Sequence, residues 1–293
     1  WTESGRRPRF DIVTGVSAGS IIAPFAFLGP KWDPALKVIW TRYQTDQLAT
    51  AQILPAIFGG PALADTTKLR NLISQYVTAS FLRSIAREYE KGRILLVGTT
   101  NLDAQRPVFW NMGEIAKVGT PQALQLFRDV ILGSAAIPGV FPPVHIQVEA
   151  GGRRFEEMHV DGGTTRDIFI APYNLNLSAF DKLYASKPKR HIYIIMNGKM
   201  SPEFEPVKPS AVDIGARAVS TLIKAHDDGD LYRIRSQALA SGSDFHFVAI
   251  PNSFKGPGPR DQVFDPVHQA ALFEKGREMG RRNSSWNTGV PTD

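Results

Sequence analysis

A serine hydroxyl lies between two glycines in Gly15-Val16-Ser17-Ala18-Gly19, directly after an apolar run. The G-x-S-x-G spacing is typical of a nucleophilic serine on a sharp turn between a strand and a helix. Such a turn strains the serine backbone, and the glycines on either side leave room for it. A helix beginning here would direct its positive dipole end at Ser17, and the Ala18 N–H could stabilise an oxyanion. The alternative is an ordinary turn with a helix-capping serine.

A serine nucleophile needs a base, which is usually a histidine with a carboxylate behind it. His268 comes nearest to the expected late position, but it lies in the first turns of an amphipathic helix. His191 and His246 fall in predicted strands, where packing is the usual role. A Ser–His–acid triad of the α/β-hydrolase type therefore stays open as an alternative, with no histidine well placed among the six, at positions 145, 159, 191, 226, 246 and 268.

A carboxylate is the other candidate base. Asp161 ends a predicted strand and is followed by Gly162 and Gly163. Such a strand end presents a side chain at the carboxyl edge of a sheet, where Ser17 is also expected. Partial desolvation would raise the pKa of the carboxyl toward neutrality. Asp-Gly is also a common turn dipeptide, so these three residues alone indicate a hairpin-exit turn equally well.

Strands and helices alternate along the chain, which predicts an α/β fold with a mostly parallel sheet. A hairpin is expected around Gly151-Gly152, and side-chain alternation places Phe245 and Phe247 on one buried face. Helices are predicted after the caps Asp33, Thr120 and Asp265, among others. The expected strands cover residues 10–14, 93–100, 145–150, 153–161, 190–198 and 244–250, and the expected helices cover 20–28, 33–43, 65–77, 80–92, 120–135, 211–241 and 265–282.

Composition limits the function classes. The 293 residues are 43% hydrophobic and 21% charged, which suits one globular domain over residues 1–293. There is no cysteine, which excludes disulfides and thiolate ligands, and no apolar run is long enough to span a bilayer. The net charge of +6 favours anionic surfaces, but the basic stretches are short and lack interleaved aromatic residues, so nucleic acid is not an expected partner.

Four stretches recur in one known family: GVSAGS at 15–20, TTNLDAQRPVFW at 99–110, LGSAAIPGVFPPV at 132–144 and VDGG at 160–163. Together they resemble the patatin-like phospholipase family over about residues 10–170. The segment FGGPALADTTKLRNLI is similar to bacterial members, and Ser134 is expected to make structural hydrogen bonds. The resemblance implies a three-layer α/β/α sandwich with a mostly parallel central sheet, and a Ser–Asp dyad without histidine, cofactor or metal. Ser17 would be the nucleophile and Asp161 the base, with Gly162 and Gly163 completing the turn after it.

The resemblance also implies a lipid acyl hydrolase that cleaves lipid or phospholipid esters through an acyl-enzyme, with peripheral contact to a membrane surface. A catalytically inactive lipid-binding module is the non-enzymatic alternative. The segment Ala51–Leu63 could line an acyl pocket or cover the core. The family has a glycine-rich oxyanion loop, Gly-Gly-Gly-x-x-Gly, which these residues lack; we expect it upstream of Trp1.

Overall fold

The computed structural model describes residues 1–43, 50–51, 64–170, 178, 181–182, 184–204, 206–257, 265–282 and 285–289. Within these ranges, no helix is long and apolar enough to cross a bilayer. The strands are β1 (Ile12–Gly15), β2 (Thr50–Ala51), β3 (Ala64–Asp65), β4 (Ile94–Asn101), β5 (Arg106–Asn111), β6 (Val144–Ala150), β7 (Arg153–Asp161), β8 (His191–Ile195) and β9 (Asp244–Val248).

The helices alternate with these strands, as the sequence predicts. Short 3₁₀ turns cover Thr2–Ser4, Pro30–Trp32 and Gly162–Thr164. The α-helices are α1 (Ala18–Leu28), α2 (Asp33–Arg42), α3 (Thr67–Tyr76), α4 (Ala79–Glu90), α5 (Met112–Val118), α6 (Pro121–Ser134), α7 (Ala211–Ser241) and α8 (Pro266–Arg281).

Strand β4 organises the central five-stranded sheet. It pairs with β1 in parallel through its first half and with β5 in antiparallel from Leu96 onward. It pairs with β7 in antiparallel through Thr99–Asn101, and β7 continues the sheet into β6. Because β5 overlaps both pairings, it must occupy one edge of β4. Strands β1 and β7 therefore share the opposite edge, one after the other.

Helices on both sides of this mixed sheet give a three-layer α/β/α fold, which confirms the predicted architecture. The expectation of mostly parallel strands is wrong for the described sheet, where β1–β4 is its one parallel pair and the other three pairs are antiparallel. Connection length explains two of the three antiparallel pairs. The four residues between β4 and β5, and the two glycines between β6 and β7, are too short for a crossover and permit antiparallel pairing.

Apolar side chains hold the layers together. Leu95 and Val97 of β4 are fully buried, and Phe27 of α1, Ile85 of α4 and Phe127 of α6 belong to the same core cluster. Burying an aromatic side chain of this size contributes about 1.5–3 kcal/mol. The helices α1, α4 and α6 therefore pack against β4 through one continuous apolar core.

A second, smaller sheet pairs β8 with β9 in parallel. Its inward residues include Ile192 and Ile194, and the predicted pair Phe245 and Phe247, which form a core cluster with Leu231 of α7. The alternation predicted for residues 244–250 is confirmed, because Phe245 and Phe247 are both buried.

Helix caps follow the sequence expectations with one exception. The side chains of Thr120 and Asp265 accept hydrogen bonds from the first-turn N–H groups of α6 and α8. Asp33 was expected to cap α2, but the cap is Trp32 and Asp33 is the first helical residue. Its carboxylate instead accepts bonds from Thr2 and Arg7, which joins the amino-terminal segment to α2.

Phe127→Ala should lower the free energy of unfolding by about 3–5 kcal/mol, because the ring is fully buried and its removal leaves a cavity. Phe204→Ala is the matched control, since that ring is 96% exposed, and it should change stability by less than about 0.5 kcal/mol. Urea denaturation followed by circular dichroism measures both. Equal effects of the two substitutions would contradict the core described above.

Candidate active site

Ser17 occupies the sharp turn between β1 and α1, with φ 52° and ψ −127°. A positive φ at a residue with a side chain is uncommon and costs on the order of 1–3 kcal/mol. Ser17 stands at the N-cap position of α1, yet its side chain makes no capping hydrogen bond. The interpretation of Ser17 as an ordinary helix-capping residue is therefore wrong, because its hydroxyl does not bond to the N–H groups of the first turn of α1.

Two buried serines hold the strained backbone in place. The Ser17 N–H donates to Ser134 Oγ at 3.1 Å, and that hydroxyl donates to the Gly98 carbonyl at 2.6 Å. The Ser20 hydroxyl donates to the Ser17 carbonyl at 2.6 Å. The Ser17 N–H is thus fixed by α6, and the Ser17 carbonyl by the first turn of α1. The structural role expected of Ser134 is confirmed, and its partners join β4 and α6 to the turn.

The two glycines of the motif play different roles. A Cβ on Gly15 would lie 2.3 Å from the Gly19 carbonyl oxygen and 2.7 Å from the Ala23 Cβ, so only glycine fits. A Cβ on Gly19 would meet open space. The expectation that both glycines relieve clashes is correct for Gly15 and wrong for Gly19, because the first turn of α1 is crowded on the β1 side alone.

Strands β1 and β7 run toward each other along one edge of β4. Gly15 pairs with Val97 and Asp161 pairs with Thr99, which leaves Gly98 between the two strand ends. A Cβ on Gly162 would lie 2.6 Å from the Gly98 carbonyl oxygen, so the turn after Asp161 packs directly on β4. The segments that carry Ser17 and Asp161 converge at this point.

The Asp161 carboxyl is 2% exposed. Its Oδ1 accepts a 2.8 Å hydrogen bond from the Gly163 N–H, whereas Oδ2 is buried and has no partner of normal hydrogen-bond geometry among the described residues. The Ser17 side chain is close enough to act on the carboxyl as a hydrogen-bonding group. Oδ2 lacks a partner of normal geometry and yet Ser17 acts on the carboxyl, because the Ser17–Asp161 contact is longer or less well aligned than an ordinary hydrogen bond, as is common in free enzymes.

Burial raises the pKa of Asp161 to about 7, because desolvation penalises the charged form. The hydrogen bonds from Ser17 and the Gly163 N–H act in the opposite direction, and the nearby Asp167 raises the pKa further. This carboxyl therefore exchanges a proton near neutral pH.

A buried carboxyl pair lies behind Asp161. Asp167 hydrogen-bonds to Asp227 of α7, and burial raises the pKa of both, that of Asp227 to about 9. Neighbouring Asp230 accepts bonds from Arg166 at 2.9 Å and Arg233 at 3.0 Å. A raised pKa for both members means that the pair retains a proton, and this bond fastens α7 to the segment that follows Asp161.

His159 and His268 are engaged elsewhere. His159 is fully buried, with Nδ1 2.9 Å from Thr99 Oγ1 and Nε2 3.3 Å from a Glu157 carboxylate oxygen, so both ring nitrogens have partners. His268, the candidate base of a triad, packs against Phe254 at a ring distance of 5.6 Å, and its ring lies against Gly256. Asp161 is the ionisable group that the described residues bring to the Ser17 hydroxyl.

A small apolar pocket lies between α1, α2, α3 and α6. The segment Ala51–Leu63, expected either to line an acyl pocket or to cover the core, falls outside the described residues except for Ala51. The side chains that line the pocket include Ile21, which lies one helical turn after Ser17. The full set is Ile21, Phe25, Ile39, Leu69, Leu72, Ile73, Tyr76, Val77 and Ile131.

Comparisons with known proteins give one positive result. The family model for patatin-like phospholipase matches residues 2–172, more than half of the chain, and this range contains both Ser17 and Asp161. A search of curated protein sequences finds no match.

Gly15→Ala should distort the turn and lower any activity that depends on Ser17 by at least about tenfold, with a loss of stability of about 1–3 kcal/mol. Gly19→Ala adds the same methyl group to open space and should retain activity and stability. Thermal unfolding and labelling by a fluorophosphonate probe compare the two. If Gly15→Ala kept its stability and labelling while Gly19→Ala lost them, the assignment of the tight contact to Gly15 would be wrong.

Proposed function

The chain belongs to the patatin-like phospholipase family, and from that premise we propose that it hydrolyses lipid carboxylic esters with a Ser17–Asp161 dyad. The family consists of lipid acyl hydrolases. One observation supports the finer proposal. Ser17, whose backbone is strained and whose side chain makes no capping hydrogen bond, lies beside a buried carboxyl with a pKa of about 7.

The proposed reaction begins when Asp161 accepts the Ser17 proton as Oγ attacks the ester carbonyl carbon. The carbonyl electrons move onto oxygen, and the Ala18 N–H at the start of α1 stabilises the oxyanion together with the helix dipole. The intermediate collapses, the C–O bond breaks, and the departing alcohol takes the proton from Asp161. An acyl-enzyme on Ser17 remains.

Water completes the cycle in the second half-reaction. Asp161 accepts a proton from the water that attacks the acyl carbon, and it returns that proton to Ser17 Oγ as the fatty acid leaves. No metal or organic cofactor takes part in this scheme. Gly162 and Gly163 serve it by allowing the tight turn that aims the carboxyl, and the Gly163 N–H fixes Oδ1 at 2.8 Å.

The surroundings favour an apolar substrate. Ile21 and Phe25, on the helix that starts at the nucleophile, contribute to the small pocket, which is lined by apolar side chains apart from Tyr76. The net charge of +6 favours approach to anionic lipid surfaces, which supports peripheral membrane contact. We propose that the alkyl part of the ester is directed toward this pocket.

Ser17→Ala and Asp161→Asn should each reduce hydrolysis of a p-nitrophenyl ester and of phospholipid vesicles by at least about a thousandfold, because the dyad acts as a unit. Ser84→Ala at a half-buried position and Asp11→Asn at an exposed one are matched controls away from the dyad, and both should keep full activity. Circular dichroism should show that all four variants are folded.

The alternatives give different results in the same assay. A triad predicts that His268→Ala abolishes hydrolysis, whereas the dyad predicts that it does not. An inactive lipid-binding module predicts vesicle binding without turnover and without fluorophosphonate labelling of Ser17. Full activity of either dyad variant would refute the proposal.

The pH profile should follow the ionisation of Asp161. The charged carboxylate is the active base, so kcat/KM should rise tenfold per pH unit below about 7 and level off above it. Asp167→Asn removes a neighbouring charge that raises the Asp161 pKa, so it should move the inflection to lower pH. Stopped assays between pH 4 and 9 measure the inflection. An inflection near pH 4 in the parent protein would mean that Asp161 is not desolvated.

A further inference from the structure

The two strands of the small sheet present different side chains on their two faces. His191 pairs with Asp244, and Tyr193 pairs with His246, in the parallel register of β8 and β9. Side chains alternate along a strand, and residues paired across neighbouring strands share a face. The residues between them, such as Ile192 and Phe245, face the buried cluster. The outer face therefore gathers two imidazoles and a carboxylate.

These three groups lie within reach of one another. One donor atom from each of His191, Asp244 and His246 can be chosen so that all lie within 4.8 Å of one another. His191 Nδ1 is 3.0 Å from Asp244 Oδ2. Adjacent donors around a tetrahedral zinc ion lie about 3.3 Å apart, given bonds of about 2.0–2.1 Å. Small rotations of the two exposed side chains, His191 and Asp244, would close the remaining gap.

We propose that His191, Asp244 and His246 form a binding site for a divalent transition metal ion of the zinc class. Two imidazole nitrogens and one carboxylate oxygen suit zinc, copper, nickel or cobalt, whereas calcium and magnesium prefer oxygen ligands. Three protein ligands leave further coordination positions for water. The site uses none of the residues proposed for ester hydrolysis.

Aromatic packing fixes one of the ligands in advance. The His246 ring stacks on Tyr193 with centroids 4.6 Å apart and planes 13° apart, and Trp286 meets it edge-on at 6.4 Å. A ligand held in this way loses little conformational freedom on binding.

One positive charge opposes the metal. Lys189 Nζ lies 3.7 Å from Asp244 Oδ2, and His191 also contacts that oxygen. Both pairs are partly exposed, so their contribution is small and screened by water. A bound cation would displace the flexible lysine, which makes moderate rather than tight affinity the expected result.

The position of the site indicates what the ion would do. Tyr193 also packs against Trp1 at 5.1 Å and Trp286 at 5.2 Å, so the outer face joins the amino-terminal and carboxyl-terminal segments to the sheet. An ion bridging β8 to β9 beside this aromatic cluster would tie the two strands together. Binding to the folded state alone would raise the unfolding temperature.

Isothermal titration of the untagged, chelator-treated protein with zinc chloride tests the site. We expect a 1:1 complex with a Kd on the order of 1–10 µM. His191→Ala, Asp244→Asn and His246→Ala should each weaken zinc binding at least about tenfold. His145→Ala is the matched control, because His145 faces Glu156 at 2.8 Å and this pair supplies only two ligands.

Thermal unfolding provides a second measurement. Zinc should raise the unfolding temperature of the parent protein and of His145→Ala, and should fail to do so for His191→Ala, whereas calcium should have no effect on any of them. If His246→Ala does not fold, His191→Ala and Asp244→Asn, at the two exposed positions, still test whether these residues bind zinc. A Kd weaker than 1 mM, unchanged binding in His191→Ala and Asp244→Asn, or an equal loss in His145→Ala would overturn the proposal.

Discussion

The structure depends on the way in which β1 and β7 meet end to end on one edge of β4. A single glycine, Gly98, separates their pairing partners. A Cβ on Gly98 would meet Phe169 and Val16, and the turn at Gly162 packs against the Gly98 carbonyl oxygen. Its carbonyl also receives the Ser134 hydroxyl that holds the backbone of Ser17. One short stretch of backbone thus sets the separation between the serine and the aspartate, which is the quantity on which the proposed chemistry depends.

Both groups are held in states that an isolated peptide would not adopt. Ser17 has a positive φ, and Asp161 is a carboxyl almost fully removed from water. The surrounding fold stabilises them through buried hydrogen bonds and through the core beneath α1 and α6. The hydrogen bond between Asp167 and Asp227 links α7 to the same region, so the carboxyl-terminal half of the chain also contributes to the site.

Local features could be predicted from the sequence, because short-range chemistry determines them. The caps at Thr120 and Asp265, the hairpin at Gly151-Gly152 and the alternation of Phe245 and Phe247 are examples. Features set by distant residues could not. The direction of β7 relative to β4 and the contact between Asp167 and Asp227 depend on pairings across sixty or so positions. The extent of a single domain over residues 1–293 stays a prediction. His191 and His246 each looked like a packing residue until the register of β8 and β9 placed them beside Asp244.

The most direct test of the central claim is a crystal structure of the protein after reaction with a small fluorophosphonate. The account predicts a phosphorus–oxygen bond to Ser17 Oγ, with a carboxylate oxygen of Asp161 within about 3.2 Å of that oxygen. It also predicts that the Ala18 N–H faces the phosphonyl oxygen. An adduct on another residue, or an Asp161 carboxyl turned away from a modified Ser17, would contradict the account.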